Sequence, residues 1–302
     1  MRFRNFLFAA FLLTACSSNG VDTDLLEHNW DAILAEYRTD GVSVYYNETA
    51  RVNLALAEKG LLAEKAFAYT QAGSGGIVPE WAQDYQSGAL LAEIYYSMGH
   101  IAMAQRMAFE TMVLCKGSRD EYMMKILVKT NLIYGAHEVA EKYLKLLKDK
   151  EFVHKYSSFV HNDEAVSADP ELGLKRRCIP TRDFLSTARG LDEDLKDIIK
   201  ANPEHRNTIQ YLGIMYLLDN EIDNFCELMD RFYGTPALPE LPSAFAQAAC
   251  MISELRPSYW KQLGVDRSVF REYENFLGRL QNGLNMDRYK DTYWYYLMKI
   301  GN

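Results

Sequence analysis

A spacing constrains this fold more than any other feature of the chain. Ala92, Tyr95, Gly99 and Ala104 hold the same relative places as Val128, Asn131, Gly135 and Ala140, each displaced by 36 residues. Both sets lie in apolar stretches of helical period that break at the glycine. A glycine can take the left-handed conformation that ends a helix, so each set predicts a helix, a tight turn and a second helix. A further copy, Gly213, Tyr216, Asn220 and Phe225, follows 85 residues on, and Leu56 with Gly60 marks an earlier, looser one. Small residues at the matching sites let paired helices approach closely. Strand signals are nearly absent, and the fold class that follows is all-α.

This format resembles tetratricopeptide repeats, whose period is about 34 residues. The match is partial: repeat starts lack the family's tryptophan, repeat ends mostly lack its proline, and Phe225 replaces the small residue of the third copy. The resemblance implies helix-pair repeats forming an α-solenoid over roughly residues 42 to 255, with a concave face that binds something. A non-repetitive helical bundle is the alternative.

The amino terminus is of another kind. Arg2 and Arg4 precede an uncharged run from Phe6 to Ala15, which reaches Cys16-Ser17-Ser18-Asn19-Gly20. A basic start, a short apolar run and small residues at the cut are the parts of an export signal. Ten residues of helix span about 15 Å, roughly half a bilayer's hydrocarbon core, so the run is a signal and not a membrane span. Leu13-Thr14-Ala15-Cys16 resembles the lipobox of bacterial lipoproteins. That resemblance implies cleavage before Cys16, a diacylglyceryl thioether on its sulfur and residence in the cell envelope, most readily at the outer membrane. Several acyl chains hold a protein on a membrane essentially permanently.

Loss of Arg2 and Arg4 with the leader takes the formal charge from −8 to −10. So acidic an exported body is a poor partner for nucleic acid. Elsewhere no uncharged apolar stretch approaches the ~18 residues of a membrane helix, which leaves lipid as the anchor. The expected organisation is a signal peptide at 1–15, a lipidated tether at 16–23, an N-terminal helical-repeat half at 24–162, a loop at 163–180, and a C-terminal helical half with an aromatic cap at 181–302. Within this scheme Asp24 is the expected N-cap of a first helix, with Glu27 completing a capping box. That helix is expected to stop at Gly41. Gln71 to Gly76 reads as a flexible linker, and Gly234 to Pro242, with three prolines, as a further interruption.

Residues with catalytic potential form no complete constellation. His137-Glu138-Val139-Ala140-Glu141 puts a glutamate where the HExxH zinc motif needs its second histidine. Gly73-Ser74-Gly75-Gly76 lacks the ending of a phosphate loop. His154 and His161 have no standard ligand spacing, Asp192, Glu193 and Asp194 suit a helix start, and Lys142, Lys145 and Lys148 suit a solvated face. Cys115, Cys226 and Cys250 lie in apolar stretches as small hydrophobes, whereas Cys178, within Lys175-Arg176-Arg177, has the cationic neighbours that lower a thiol pKa. No metal and no cofactor is expected.

Aromatic residues are the remaining enrichment. Phe270, Tyr273, Phe276, Leu277 and Leu280 form one helical stripe, and Tyr293, Trp294, Tyr295 and Tyr296 follow near the end. These four either close the open end of the array or form a ligand or partner surface. With Asn29-Trp30-Asp31, this tail resembles an uncharacterised family of membrane-anchored helical proteins of Bacteroidetes, a resemblance that implies no activity. The functional expectation is a non-enzymatic, membrane-tethered scaffold that binds an envelope protein or peptide. The alternative is a lipoprotein that captures glycans or peptides for uptake.

Overall fold

The computed structural model describes residues 22–36, 45–114, 120–181 and 190–300. Cys16, with its lipobox, and Gly41 and Cys115 lie outside these residues.

The described chain is helical throughout, joined by one isolated bridge between Tyr233 and Leu238. Its elements are α1 (Thr23–Leu26), α2 (Trp30–Glu36), α3 (Tyr46–Glu58), α4 (Leu62–Lys65), α5 (Tyr85–Met98), α6 (Ile101–Leu114), α7 (Glu121–Ile133), α8 (His137–Leu144) and α9 (Lys150–Ser157). Then come α10 (Asp163–Ala168), α11 (Leu172–Arg176), α12 (Leu191–Ala201), α13 (Arg206–Leu218), α14 (Ile222–Phe232), α15 (Ser243–Ile252), α16 (Tyr259–Gln262), α17 (Arg267–Gln281) and α18 (Tyr293–Ile300). Among the described residues no helix is long and apolar enough to cross a membrane.

The spaced residues of the sequence fall on one recurring turn. Gly60, Gly99, Gly135 and Asn220 have φ of 68°, 83°, 74° and 56°. At each, the next residue's N–H reaches the carbonyl five residues back: Leu61 to Leu56, His100 to Tyr95, Ala136 to Asn131 and Glu221 to Tyr216, at 2.7 to 2.8 Å. The turn residue's own N–H takes the carbonyl three back, at 2.9 to 3.3 Å. This is a Schellman ending, which satisfies carbonyls that a helix C-terminus leaves open. Around it Ala92, Ala104, Val128 and Ala140 are fully buried where paired helices meet.

The third copy explains its own departure. Gly213 in α13 has no Cβ, and one added there would stand 2.2 Å from Cζ of Phe245. The Phe245 ring, from α15, occupies that space and packs edge-on against Phe225 at 5.3 Å. A large residue therefore fits where the other copies carry alanine.

Packing departs from a simple row of pairs. α5, α6, α7 and α8 lie against one another in order, but α13 touches α3, α4, α5, α12, α14 and α15. Gln210 of α13 accepts from the Ala63 N–H at 3.1 Å, capping α4, and Glu64 of α4 accepts from the Ser243 N–H at 3.0 Å, capping α15. Residues on both sides of 163–180 consequently share one buried apolar cluster, running from Leu25 to Trp294.

Several local expectations are corrected. The first helix is capped by Asp22, not Asp24, and it breaks at His28, whose φ is 55°, before resuming at Trp30. Residues 71–76 are not a free linker: Asn53 and Gln71 exchange side-chain hydrogen bonds, Asn53 donates to the Gly76 carbonyl at 2.9 Å, and Tyr46 and Thr49 close over Gly75 and Gly76. The expected loop at 163–180 holds α10 and α11 and buries Leu172, Lys175 and Cys178, because a lysine there finds acceptors inside the protein.

Candidate functional site

α5 and α7 are the first helices of consecutive pairs, and each is apolar over most of its length. Glu93 is the one charged residue of α5. In α7, Tyr122, Lys125, Ile126 and Lys129 share a face by their helical spacing. These faces form the floor of a cleft of about 370 Å³, walled by α9, Glu171 and the α1 turn at Leu26 and His28. Glu93 and Lys129 lie one 36-residue period apart, so the repeat sets opposite charges at equivalent places.

At one end Tyr122 donates to Glu93 Oε1 at 2.6 Å, and His28 Nε2 stands 3.6 Å from the same oxygen. Glu93 is 8% exposed. Burial pushes its pKa upward, but His28, Tyr122 and Lys129 outweigh that and hold it below the usual carboxylate value. Glu93 in turn raises His28, against the opposing effect of burial. The His28 ring stacks on Trp30 at 5.0 Å.

At the other end Glu171 gathers three donors. Lys129 Nζ and the Tyr96 hydroxyl reach Oε1 at 2.7 and 2.9 Å, and the Tyr156 hydroxyl reaches Oε2 at 3.3 Å. Burial works to lower Lys129, yet Glu171 and Tyr156 raise it above the usual lysine value. Burial likewise works to raise Glu171, and Lys129 holds it down. Between the ends Lys125 pairs with Asp149 at 2.6 Å, while Asp149 Oδ1 caps α9 through the Glu151 and Phe152 N–H groups. The aromatic faces are occupied: Lys125 lies over Phe152 at 5.3 Å, and Lys129 and Lys155 over Tyr156 at 6.0 and 4.9 Å.

Behind the cleft lies a second polar cluster. Lys175 Nζ donates to the Tyr96 and Ser97 carbonyls at 2.6 and 3.1 Å and contacts His205 Nε2 at 2.8 Å. His100 Nε2 meets Asp194 at 3.2 Å, both fully buried. Tyr96 joins cluster and cleft, with Lys129 and Lys175 each within 5.5 Å of its ring centre.

The residues singled out in the sequence fall elsewhere. Tyr293 and Trp294 are buried, which removes them from any partner surface. Tyr293 packs on Phe67, and Trp294 packs among Tyr273, Phe276 and Tyr289 and donates to the Gln247 carbonyl at 2.7 Å. Tyr295 and Tyr296 are half-buried, and the Tyr296 hydroxyl reaches the Leu218 carbonyl. His137 meets Asp163 at 3.2 Å and His161 ring to ring, while Glu141 pairs with Lys145. Asp192 and Glu193 engage Lys196 at the start of α12, whereas Asp194 turns inward to His100. Burial pushes the Cys178 thiol up, against the lowering expected from its cationic neighbours. Cys178, Cys226 and Cys250 are free and buried.

Sequence reading passed over Glu93, Tyr122, Lys129 and Glu171. The signal present was a lone acid in an apolar helix, with a lysine one period later.

A model for a family of unknown function, DUF6057, matches residues 20–300. No curated protein and no solved structure matches the chain.

Proposed function

The chain belongs to DUF6057, a family of unknown function, and we propose that it is a non-enzymatic, membrane-tethered lipoprotein whose helix-pair array binds a protein or peptide in the cell envelope. The cleft between α5, α7 and α9 carries this reading. It is an open groove on the first helices of consecutive pairs, and its acids and bases are already paired with one another and with tyrosines. Alternating charge beside half-exposed aromatic rings suits a polypeptide, which offers both charge signs and backbone groups. In this reading the helix pairs form a tetratricopeptide-like solenoid and the groove is part of its concave face. Lysines over Phe152 and Tyr156 leave few bare ring faces for stacking sugars, which favours a peptide over a glycan.

Lipid on Cys16 supplies the tether in this proposal. The seven residues that follow it span at most about 25 Å, so the cleft works close to the membrane. Two measurements test the reading in cells. Cys16→Ser should move the protein from the membrane to the soluble fraction, and an unchanged partition rejects the anchor. A photo-crosslinking residue in place of Glu151, exposed on the cleft rim, should capture a discrete envelope protein that the same residue at exposed Leu255 does not. Identical products from both positions reject the cleft as the binding face.

A further inference from the structure

The two ends of the cleft differ in how completely their carboxylates are matched. Glu171 holds a lysine within hydrogen-bond distance and two phenol donors. Glu93 is more deeply set, its side chain 10% exposed against 34% for Glu171, and its contacts with Tyr122 and His28 both fall on Oε1. The nearest cation to Glu93 is His28, 3.6 Å away, beyond a good hydrogen bond and on a side chain 43% exposed. Its Nε2 lies closer to the Tyr122 hydroxyl, at 3.4 Å. Lys129 is held away by Glu171 and by the Tyr96 and Tyr156 rings.

A nearly buried carboxylate with only a partial, titratable counter-charge is an unusual thing to keep, because an ionised acid away from water needs a full partner. Glu93 also lines a cleft open to solvent, so a partner can come from outside. The groups facing it are His28 from the α1 turn and Tyr122 and Lys129 from α7. Tyr122 offers, beside its donated hydroxyl, an aromatic body against which an alkyl ammonium stem can lie.

We propose that the Glu93 end of the cleft recognises a primary ammonium group supplied by a lysine side chain of a polypeptide ligand, with Glu93 as its counter-ion and Tyr122 alongside. This assignment rests on the peptide-binding reading of the cleft and adds to it the chemistry of one subsite. Binding brings a permanent cation to the place where His28 provides one only when protonated. No bond forms or breaks, and the ligand's charge replaces a histidine's.

The test uses the full-length protein and three probes: acetyl-Gly-Lys-Gly-amide, the same peptide with norleucine for lysine, and spermidine. Calorimetry should show the lysine peptide bound about tenfold or more tighter than the norleucine peptide, and Glu93→Gln should abolish that preference. In the unaltered protein, the lysine peptide should lower the pH midpoint of the His28 imidazole NMR signals. That readout stands even if Glu93→Gln fails to fold. Equal binding of the two peptides, binding of neither, or an unmoved His28 midpoint overturns the proposal. Spermidine bound as tightly as the lysine peptide overturns the polypeptide as the source. Crosslinking of an envelope protein through position 151 without any lysine preference sinks this assignment alone, whereas loss of both removes the cleft reading itself.

Discussion

Lys175 Nζ lies 2.8 Å from His205 Nε2, and the hydrogen bonds around them fix which group donates. Thr208 donates its hydroxyl to the Met98 carbonyl, so its oxygen accepts from His205 Nδ1 at 2.8 Å. His205 is then neutral with the proton on Nδ1, in accord with burial holding its pKa well below the usual value. Its Nε2 is therefore an acceptor. Lys175 meets three acceptors, this nitrogen and two carbonyls at the end of α5, which matches the three donors of an ammonium at the negative end of a helix. Burial pulls its pKa below the ordinary lysine value, against the opposing charges of Glu58, Cys178, Glu171 and Glu93.

Replacing that lysine should be costly. Lys175→Met keeps the stem but takes the ammonium from the His205 nitrogen and the Ser97 carbonyl, the Tyr96 carbonyl keeping the Gly99 N–H, and a loss of about 2–4 kcal/mol is expected in denaturant unfolding. Lys175→Arg should also destabilise, since a planar guanidinium cannot occupy the space of a compact ammonium. A change below about 0.5 kcal/mol in the methionine variant would show that the network contributes nothing.

The pH dependence of the cleft has a definite sign. Contact with Glu93 raises the folded-state pKa of His28, so this pair's contribution to stability is fully present below the unfolded histidine value and is lost as pH rises through the folded one. Glu93 is lowered despite burial, so its contribution is present above the unfolded carboxylate value and is lost as pH falls through the folded one. The pair is therefore strongest between the two folded-state values. NMR titration should give His28 a midpoint above about 6.5, and Glu93→Gln should drop it, leaving burial as the main influence. An unchanged midpoint in the variant would remove Glu93 as the cause.

How much of this was legible in the sequence depends on what each residue needs. The turns at Gly99, Gly135 and Asn220 were readable because a left-handed residue between apolar runs has few other uses. The role of 163–180 was not, since Lys175 and Cys178 look polar and exposed until a helix end 79 residues earlier in the chain supplies the acceptors. Asp194 misled in the same way. Its place in the first turn of α12 explains an acid by the dipole alone, and its partner His100 is 94 residues away. The cleft left a trace in the sequence, a lone glutamate and a lysine one period apart, but apolar periodicity reads helices and cannot say which polar residue faces inward.

Gly213 yields a packing prediction. A methyl group added there meets the Phe245 ring at 2.2 Å, and Phe245 is itself fully buried against Phe225, so the ring has nowhere to move. Gly213→Ala should destabilise by about 1–3 kcal/mol through overpacking, even though alanine is the better helix former. The double variant with Phe245→Leu should recover part of the loss, measured as a non-additive term in a double-mutant cycle. Strict additivity would rule out a clash between these two sites.

Within four adjacent residues the tail sets two buried rings beside two half-buried ones. Trp294 is 4% exposed, packs on three aromatic rings and donates to the Gln247 carbonyl, so Trp294→Ala should cost about 3–5 kcal/mol. Tyr295, two residues from the fully buried Tyr293, is half-buried, and Lys299 lies over its ring at 5.5 Å. Tyr295→Ala should therefore cost far less, about 1 kcal/mol or below. If α18 only closes the fold, thermal unfolding will rank the two variants this way while crosslinking through position 151 stays intact in the Tyr295 variant. Loss of that crosslink with stability unchanged would return Tyr295 to the partner surface and extend it from the cleft to the carboxyl-terminal helix.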